Sequence, residues 1–142
     1  MPYDPMMVQP MREELTRLGF TELRRPEDVD REMASPERLL LVVNSVCGCA
    51  AGVARPGVAL SLKHEGAPRR LATVFAGQDV EATARARSYF EGRAPSSPQV
   101  AVLEGGRLLF LLQRHEIEGR TPEQVAAALT AAYDRLSQKA TA

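Results

Sequence analysis

Leu39-Leu40-Leu41-Val42-Val43 is an uninterrupted run of five apolar residues between Arg38 and Asn44. A strand with one wet face alternates apolar and polar side chains, whereas a run without alternation suits a strand covered on both faces. Such strands lie inside sheets with helices on either side, so this run points to a layered α/β chain. The neighbouring pattern agrees. Arg70-Leu71-Ala72-Thr73-Val74-Phe75 reads as a second strand, followed by a helix capped by Asp79, lined by Ala82, Ala86 and Phe90, and ended by Gly92. Strand, helix, strand, helix in that order favours parallel members joined by right-handed crossovers.

Later in the chain Gln99–Leu103 and Arg107–Leu112 flank Glu104-Gly105-Gly106, which predicts a hairpin. Thr121-Pro122-Glu123-Gln124 supplies a cap, a first-turn proline and a glutamine ahead of Val125, Leu129, Ala132 and Leu136, predicting a C-terminal helix. At the other end, Val8, Met11, Leu15 and Leu18 make a one-faced helix ending at Gly19, and Pro26–Met33 a second, short one with Val29 and Met33 aligned. Met6, Met7 and Met11 fit a helix docked on its own sheet. Between Cys49 and Leu62 the helical pattern is weaker, with a kink or break expected at Pro56 and Gly57. The 142 residues therefore read as a single α/β domain, a mixed sheet flanked by helices. Residues 1–36 form an N-terminal helical extension, Arg93–Pro98 a linker, and 137–142 a frayed tail.

Eighteen basic residues balance eighteen acidic ones, which removes the global field expected of a nucleic-acid or membrane-surface binder. Arg12, Arg17, Arg24, Arg25 and Arg31 alternate with acids and read as a solvated, salt-laced surface. The expected partners include neither nucleic acid nor membrane, since no apolar run is long enough to span one. The absence of a basic and apolar leader favours a cytoplasmic address.

The two cysteines are Cys47 and Cys49, one residue apart and too close to staple distant parts of a fold. They follow the buried run by a few residues, at the carboxyl end of a strand and the start of a helix, a common address for sites in open sheets. Amides at a helix N-terminus favour thiolate over thiol, which makes Cys47 the better nucleophile. Gly48 relaxes the backbone between the two, and a disulfide in so small a ring is strained and easily reduced, at about −230 to −180 mV. Cys47 attacks a disulfide and Cys49 resolves the mixed disulfide. Return to the dithiol needs an external low-molecular-weight thiol or a reductase, and no cofactor is bound. Two other readings stand beside this one: a pair of small buried hydrophobes, or half of a metal site, although His64 and His115 give no compact ligand set. Asn44 and Ser45 are placed to bond near the sulfurs or simply to turn the chain. His115 suits a local structural bond, and Arg114 and Arg120 read as solvated cations, with an acidic thiol as the alternative partner of either.

The strings Tyr3-Asp4-Pro5-Met6-Met7-Val8, Pro10-Met11-Arg12, Val43-Asn44-Ser45-Val46-Cys47-Gly48-Cys49-Ala50, Pro95-Ser96-Ser97-Pro98 and Arg114-His115-Glu116-Ile117-Glu118-Gly119 resemble those of the bacilliredoxin family. That resemblance covers almost the whole chain. It implies a thioredoxin-like fold and removal of bacillithiol, as co-substrate or reductant, from mixed disulfides on cytosolic proteins. It also implies attack by Cys47, resolution by Cys49, and a cis proline at Pro98 that presents the backbone beside Ser97 to a substrate chain. Pro56 matches the proline that bends the active-site helix of the wider fold. General disulfide isomerisation or oxidation, and a non-enzymatic redox-sensing or metal-delivery adaptor, remain as alternatives.

Overall fold

The computed structural model describes the backbone of residues 2–141 and the side chains of residues 2–138. The apolar run becomes β2 (Arg38–Asn44), the central strand of a five-stranded sheet, with Leu39 to Val43 all buried. Beside β2 lies β3 (Arg70–Phe75), parallel, and on its other side β4 (Gln99–Glu104), antiparallel. β5 (Arg107–Leu112) closes the hairpin against β4, whose turn puts Gly105 and Gly106 at φ of 58° and 79°, a conformation that favours glycine.

Alternate side chains of β2 feed separate cores. Leu40 and Val42 pack with Val100, Val102, Val58, Val125 and Leu129 on one face. Leu39, Leu41 and Val43 pack with Val74, Leu103, Val29, Ala82 and Phe90 on the other. Full burial of each such side chain stabilises the fold by roughly 1.5–3 kcal/mol, so both faces of this strand hold the layers together. The first face is covered by α1 (Pro5–Thr16), α3 (Arg55–Ser61) and α6 (Pro122–Thr141). The second is covered by α2 (Pro26–Met33) and α4 (Val80–Ser88). Thr121 and Gln124 make the expected reciprocal cap of α6, at 3.1 and 3.0 Å.

Several expectations need correction. The segment 1–36 is not wholly helical: Thr21–Glu22 forms β1, a parallel edge strand on β3 that is too short to leave a periodic signal. Met6 and Met7 are exposed, because the inward side of α1 is built from Val8, Arg12 and Leu15. Arg12 does not belong to the solvated surface. Its buried guanidinium grips both oxygens of Asp79 at 2.9 and 2.8 Å, reaches Glu22 at 3.0 Å and lies over the Phe75 ring. Asp79 stands at the head of α4 but makes no side-chain cap, since its carboxylate is committed to Arg12.

Pro56 and Gly57 do not break the helix. The helical backbone is continuous from Gly48 to Ser61, and the irregularity expected at Pro56 takes the form of a π segment, Ala50–Ala54, just before it. Gly57 permits close packing: a Cβ there would lie 2.8 Å from Val125 Cγ1 and 3.0 Å from the Pro122 carbonyl oxygen. The last helix runs beyond Ser137 to Thr141, consistent with Gln138, Lys139 and Ala140 being good helix formers. Residue 142, the end of the expected frayed tail, lies outside the described residues.

Candidate active site

The end of β2 delivers Asn44 into a turn through Ser45 and Val46, and Cys47 then opens the helix. The Cys47 carbonyl accepts from the amides of Ala50 at 3.1 Å and Ala51 at 3.2 Å, so the thiol sits on the first turn. Both thiols are free and half-buried, with the Cys47 and Cys49 sulfurs 2.7 Å apart. Gly48 has neither a left-handed φ nor any atom within 4 Å of where a Cβ would stand. Its expected role, relaxing the backbone when the two sulfurs bond, concerns the oxidised pair, whereas both thiols are free here. Gly48 itself is exposed.

The surroundings pull the two thiols apart. Burial alone raises Cys47, but bonds from the Cys49 thiol, Ser45 and the Ala50 amide, together with the charge of Arg114, hold it below the usual thiol value. Burial also raises Cys49, and the Cys47 sulfur adds to that rise through their shared bond and its charge, against a smaller opposing pull from Arg114. The sign is the one a reactive thiolate beside a protonated neighbour needs.

Of the residues flagged beside the pair, Ser45 acts on Cys47 directly and also accepts from the Cys47 amide at 3.3 Å. Asn44 holds the turn from behind. Its Nδ2 donates to the Met11 carbonyl at 3.2 Å, and its Oδ1 accepts from the Ser45 amide at 2.9 Å and Arg55 Nη1 at 2.8 Å. Arg55 was not singled out by the sequence. It is buried on the inner side of α3, its Nη1 also donates to the Ser45 carbonyl at 2.9 Å, and its Nε lies 3.1 Å from a Glu14 oxygen, out of line for a hydrogen bond. An arginine among Ala54, Val58 and Ser61 was the available signal, because an inward-facing guanidinium requires buried acceptors.

Strand register carries more groups to the same edge. Val43 pairs with Gln99, so Ser97 and Pro98 lie alongside the turn that follows Asn44, and the Ser97–Pro98 peptide is cis. Val100 pairs with Leu112, which brings Gln113 and a short helix, α5 (Arg114–Ile117), to that edge as well. Arg114 Nη1 donates to the Ser97 carbonyl at 3.4 Å, and its charge reaches both sulfurs. His115 and Arg120 are exposed and are not among the groups acting on the thiols. His64 lies elsewhere, 2.7 Å from Asp134. Among the described residues no group of three or more His, Cys, Asp or Glu side chains is arranged to hold a metal ion.

A family model described as "Disulphide isomerase" matches residues 3–137. A bacilliredoxin of Koribacter versatilis is 52% identical over 134 residues, 94% of this chain and 92% of that relative. The chain belongs to the bacilliredoxin family. Other bacilliredoxins similar to it come from Geobacillus kaustophilus, 49% identical over 94% of this chain and 92% of the relative, and from Cytophaga hutchinsonii, 49% identical over 94% and 99%. Among solved structures, the thioredoxin Mala s 13 of Malassezia sympodialis superposes with a TM-score of 0.54 at 11% identity, covering 79% of this chain and 91% of its own. Trxlp of Edwardsiella tarda gives 0.50 at 16%, covering 77% and 97%. The fold is thioredoxin-like. Bacilliredoxin kinship on this fold, with a paired thiol at the strand-to-helix turn, supports a thiol–disulfide oxidoreductase. No helix among the described residues is long and apolar enough to cross a membrane.

Proposed function

We propose that the protein removes bacillithiol from mixed disulfides on other proteins, with Cys47 attacking and Cys49 resolving. The observation that carries the assignment of roles is the place of Cys47 at the head of the helix, with the Cys49 sulfur 2.7 Å from its own; the downward shift at Cys47 and the upward shift at Cys49 agree with it. The relatives' shared name supports bacillithiol as the thiol concerned.

The Cys47 thiolate attacks the bacillithiol sulfur, a new disulfide forms to Cys47, and the target protein leaves as a thiolate that takes a proton from solvent. Cys49 then loses its proton and attacks Cys47, so the S–S bond to bacillithiol breaks and bacillithiol departs. Two electrons have passed from the dithiol to the mixed disulfide, leaving Cys47 and Cys49 oxidised. An external thiol or a reductase returns the pair to the dithiol. Ser45 stabilises the attacking form, Asn44 fixes the turn, and the Ser97 and Pro98 backbone, beside the turn, receives the substrate chain. Gly48, exposed between the two cysteines, adds no side chain to the site. The setting is a bacterial cytoplasm, where such mixed disulfides are to be reversed.

The test compares one target protein carrying bacillithiol with the same target carrying glutathione, each mixed with the reduced enzyme. Faster release from the bacillithiolated form supports the proposal, and equal release from both removes the claim of specificity. The family description favours a second reading, disulfide isomerisation, in which Cys47 attacks and later leaves without intervention by Cys49. A Cys49→Ser variant that still unscrambles a wrongly paired protein at the wild-type rate supports that reading instead.

A further inference from the structure

Behind the Ser97–Pro98 edge lies a buried polar network with no part in the exchange chemistry described so far. Gln99 is fully buried. Its Oε1 accepts from Arg87 Nε at 3.1 Å and its Nε2 donates to Gln113 Oε1 at 2.8 Å. The Ser96 hydroxyl donates to the same Gln113 oxygen at 2.6 Å, Gln113 Nε2 donates to the Ala94 carbonyl at 2.9 Å, and Arg87 Nη2 donates to the Ser96 carbonyl at 2.7 Å. A buried network like this is costly when loose and specifies one geometry when satisfied.

The geometry it specifies is that of Arg114. The Arg114 amide donates to Ser96 Oγ at 3.1 Å, Nη1 makes a long 3.4 Å bond to the Ser97 carbonyl, and Nε donates to Glu118 at 3.0 Å. Nη2 has no partner among the described residues, and the side chain is about half exposed. A guanidinium held at the thiol edge, with one free donor and one weakly engaged donor, presents a fork suited to a planar anion.

We infer that Arg114 binds a carboxylate on the small thiol carried by the substrate disulfide and so selects carboxylate-bearing thiols. This rests on the reading that the substrate is a mixed disulfide with a low-molecular-weight thiol. A carboxylate fits better than a phosphate because Glu118 already offsets part of the charge and would repel a dianion. Arg114 forms only ionic hydrogen bonds; the sulfur chemistry stays with Cys47.

The test uses one fluorescent peptide disulfide-linked either to mercaptopropionate or to its neutral isostere mercaptopropionamide. Single-turnover release is measured for the wild type, Arg114→Gln and Arg114→Lys. The quantity read is the ratio of the two rate constants, compared between enzymes so that intrinsic leaving-group differences cancel. Arg114→Gln is expected to lower the ratio about tenfold, the loss of one charge-assisted bond at a half-exposed site, and Arg114→Lys to fall between. A purely structural role, or one exerted only through the Cys47 thiolate, slows both substrates equally; a ratio unchanged in Arg114→Gln overturns the inference. Repeating the series on a peptide with an added aspartate beside its cysteine separates the source of the carboxylate. An Arg114 effect that follows the aspartate and ignores the small thiol also overturns it. The same peptide linked to bacillithiol runs beside them: a wild type that releases it but neither probe overturns the inference, and one that does not release it refutes the proposed function itself.

Discussion

Replacing Arg55 by methionine removes a guanidinium of similar length from beneath the reactive turn. The side chain is 3% exposed, so no water replaces its donors. Ser45 is also buried, and its carbonyl loses the 2.9 Å bond that Arg55 supplies. Asn44 Oδ1 loses one donor but keeps the Ser45 amide at 2.9 Å. Hydrogen bonds from charged donors contribute about 1.5–3 kcal/mol each, and an orphaned buried acceptor costs about 1–3 kcal/mol. Glu14 is 45% exposed and rehydrates, so its share is less than about 1 kcal/mol. Relief of the buried charge opposes these losses, but only one partner of the set has been removed, and the remaining acceptors stay dry. The net expectation is about 3 kcal/mol of destabilisation, seen as a fall of about 10 °C in Tm for a chain of this size. Urea unfolding of the reduced protein measures it, with alkylation of Cys47 followed in parallel. Arg55→Lys keeps the charge and loses the geometry, so it should fall between. A loss below about 1 kcal/mol, with unchanged alkylation, refutes the view that Arg55 fixes the turn from behind.

The Cys47 thiolate is the attacking species and titrates below the usual thiol value, so alkylation of Cys47 should rise with pH and level off at a lower pH than for an ordinary cysteine. Absorbance of the thiolate measures the same step, and Cys49→Ala, which removes one of the bonds holding Cys47 low, should move it upward; a titration at or above the usual value removes the basis for assigning attack to Cys47. Gly57→Ala should destabilise the fold by about 1–3 kcal/mol, because the added methyl meets Val125 and the Pro122 carbonyl at 2.8 and 3.0 Å. Thermal unfolding reports it, and a neutral result shows that α3 and α6 can part without cost.

Much of this fold is written in local patterns. The run from Leu39 to Val43 reads as a doubly covered strand because its neighbours on both faces are apolar, and the glycine pair at 105–106 marks the hairpin because both residues need left-handed backbone. The two-residue β1 leaves no such trace; it is stabilised by pairing with Ala72 and Thr73, far away in sequence. Charged residues misled for a related reason. Arg12 alternates with acids just as Arg17 does, yet Arg12 closes on Asp79 across 67 residues while Arg17 pairs with Glu13 on the surface. The thiols themselves were legible from their spacing and their place after a buried strand. Ser45, two residues before Cys47, was legible beside them, whereas Arg114 reaches the pair through strand register that no local pattern encodes. Pro56 shows the converse: a residue that opposes helix in isolation is accommodated once a π segment precedes it.

Intact-mass analysis of two single-cysteine variants after exposure to a bacillithiolated protein tests the division of labour between the thiols most directly. Cys49→Ser should accumulate bacillithiol on Cys47 and stop, while Cys47→Ser should remain unmodified and release no target. An adduct that forms on Cys49 in the absence of Cys47, or full turnover by Cys49→Ser without added thiol, would contradict the assignment of attack to Cys47 and resolution to Cys49.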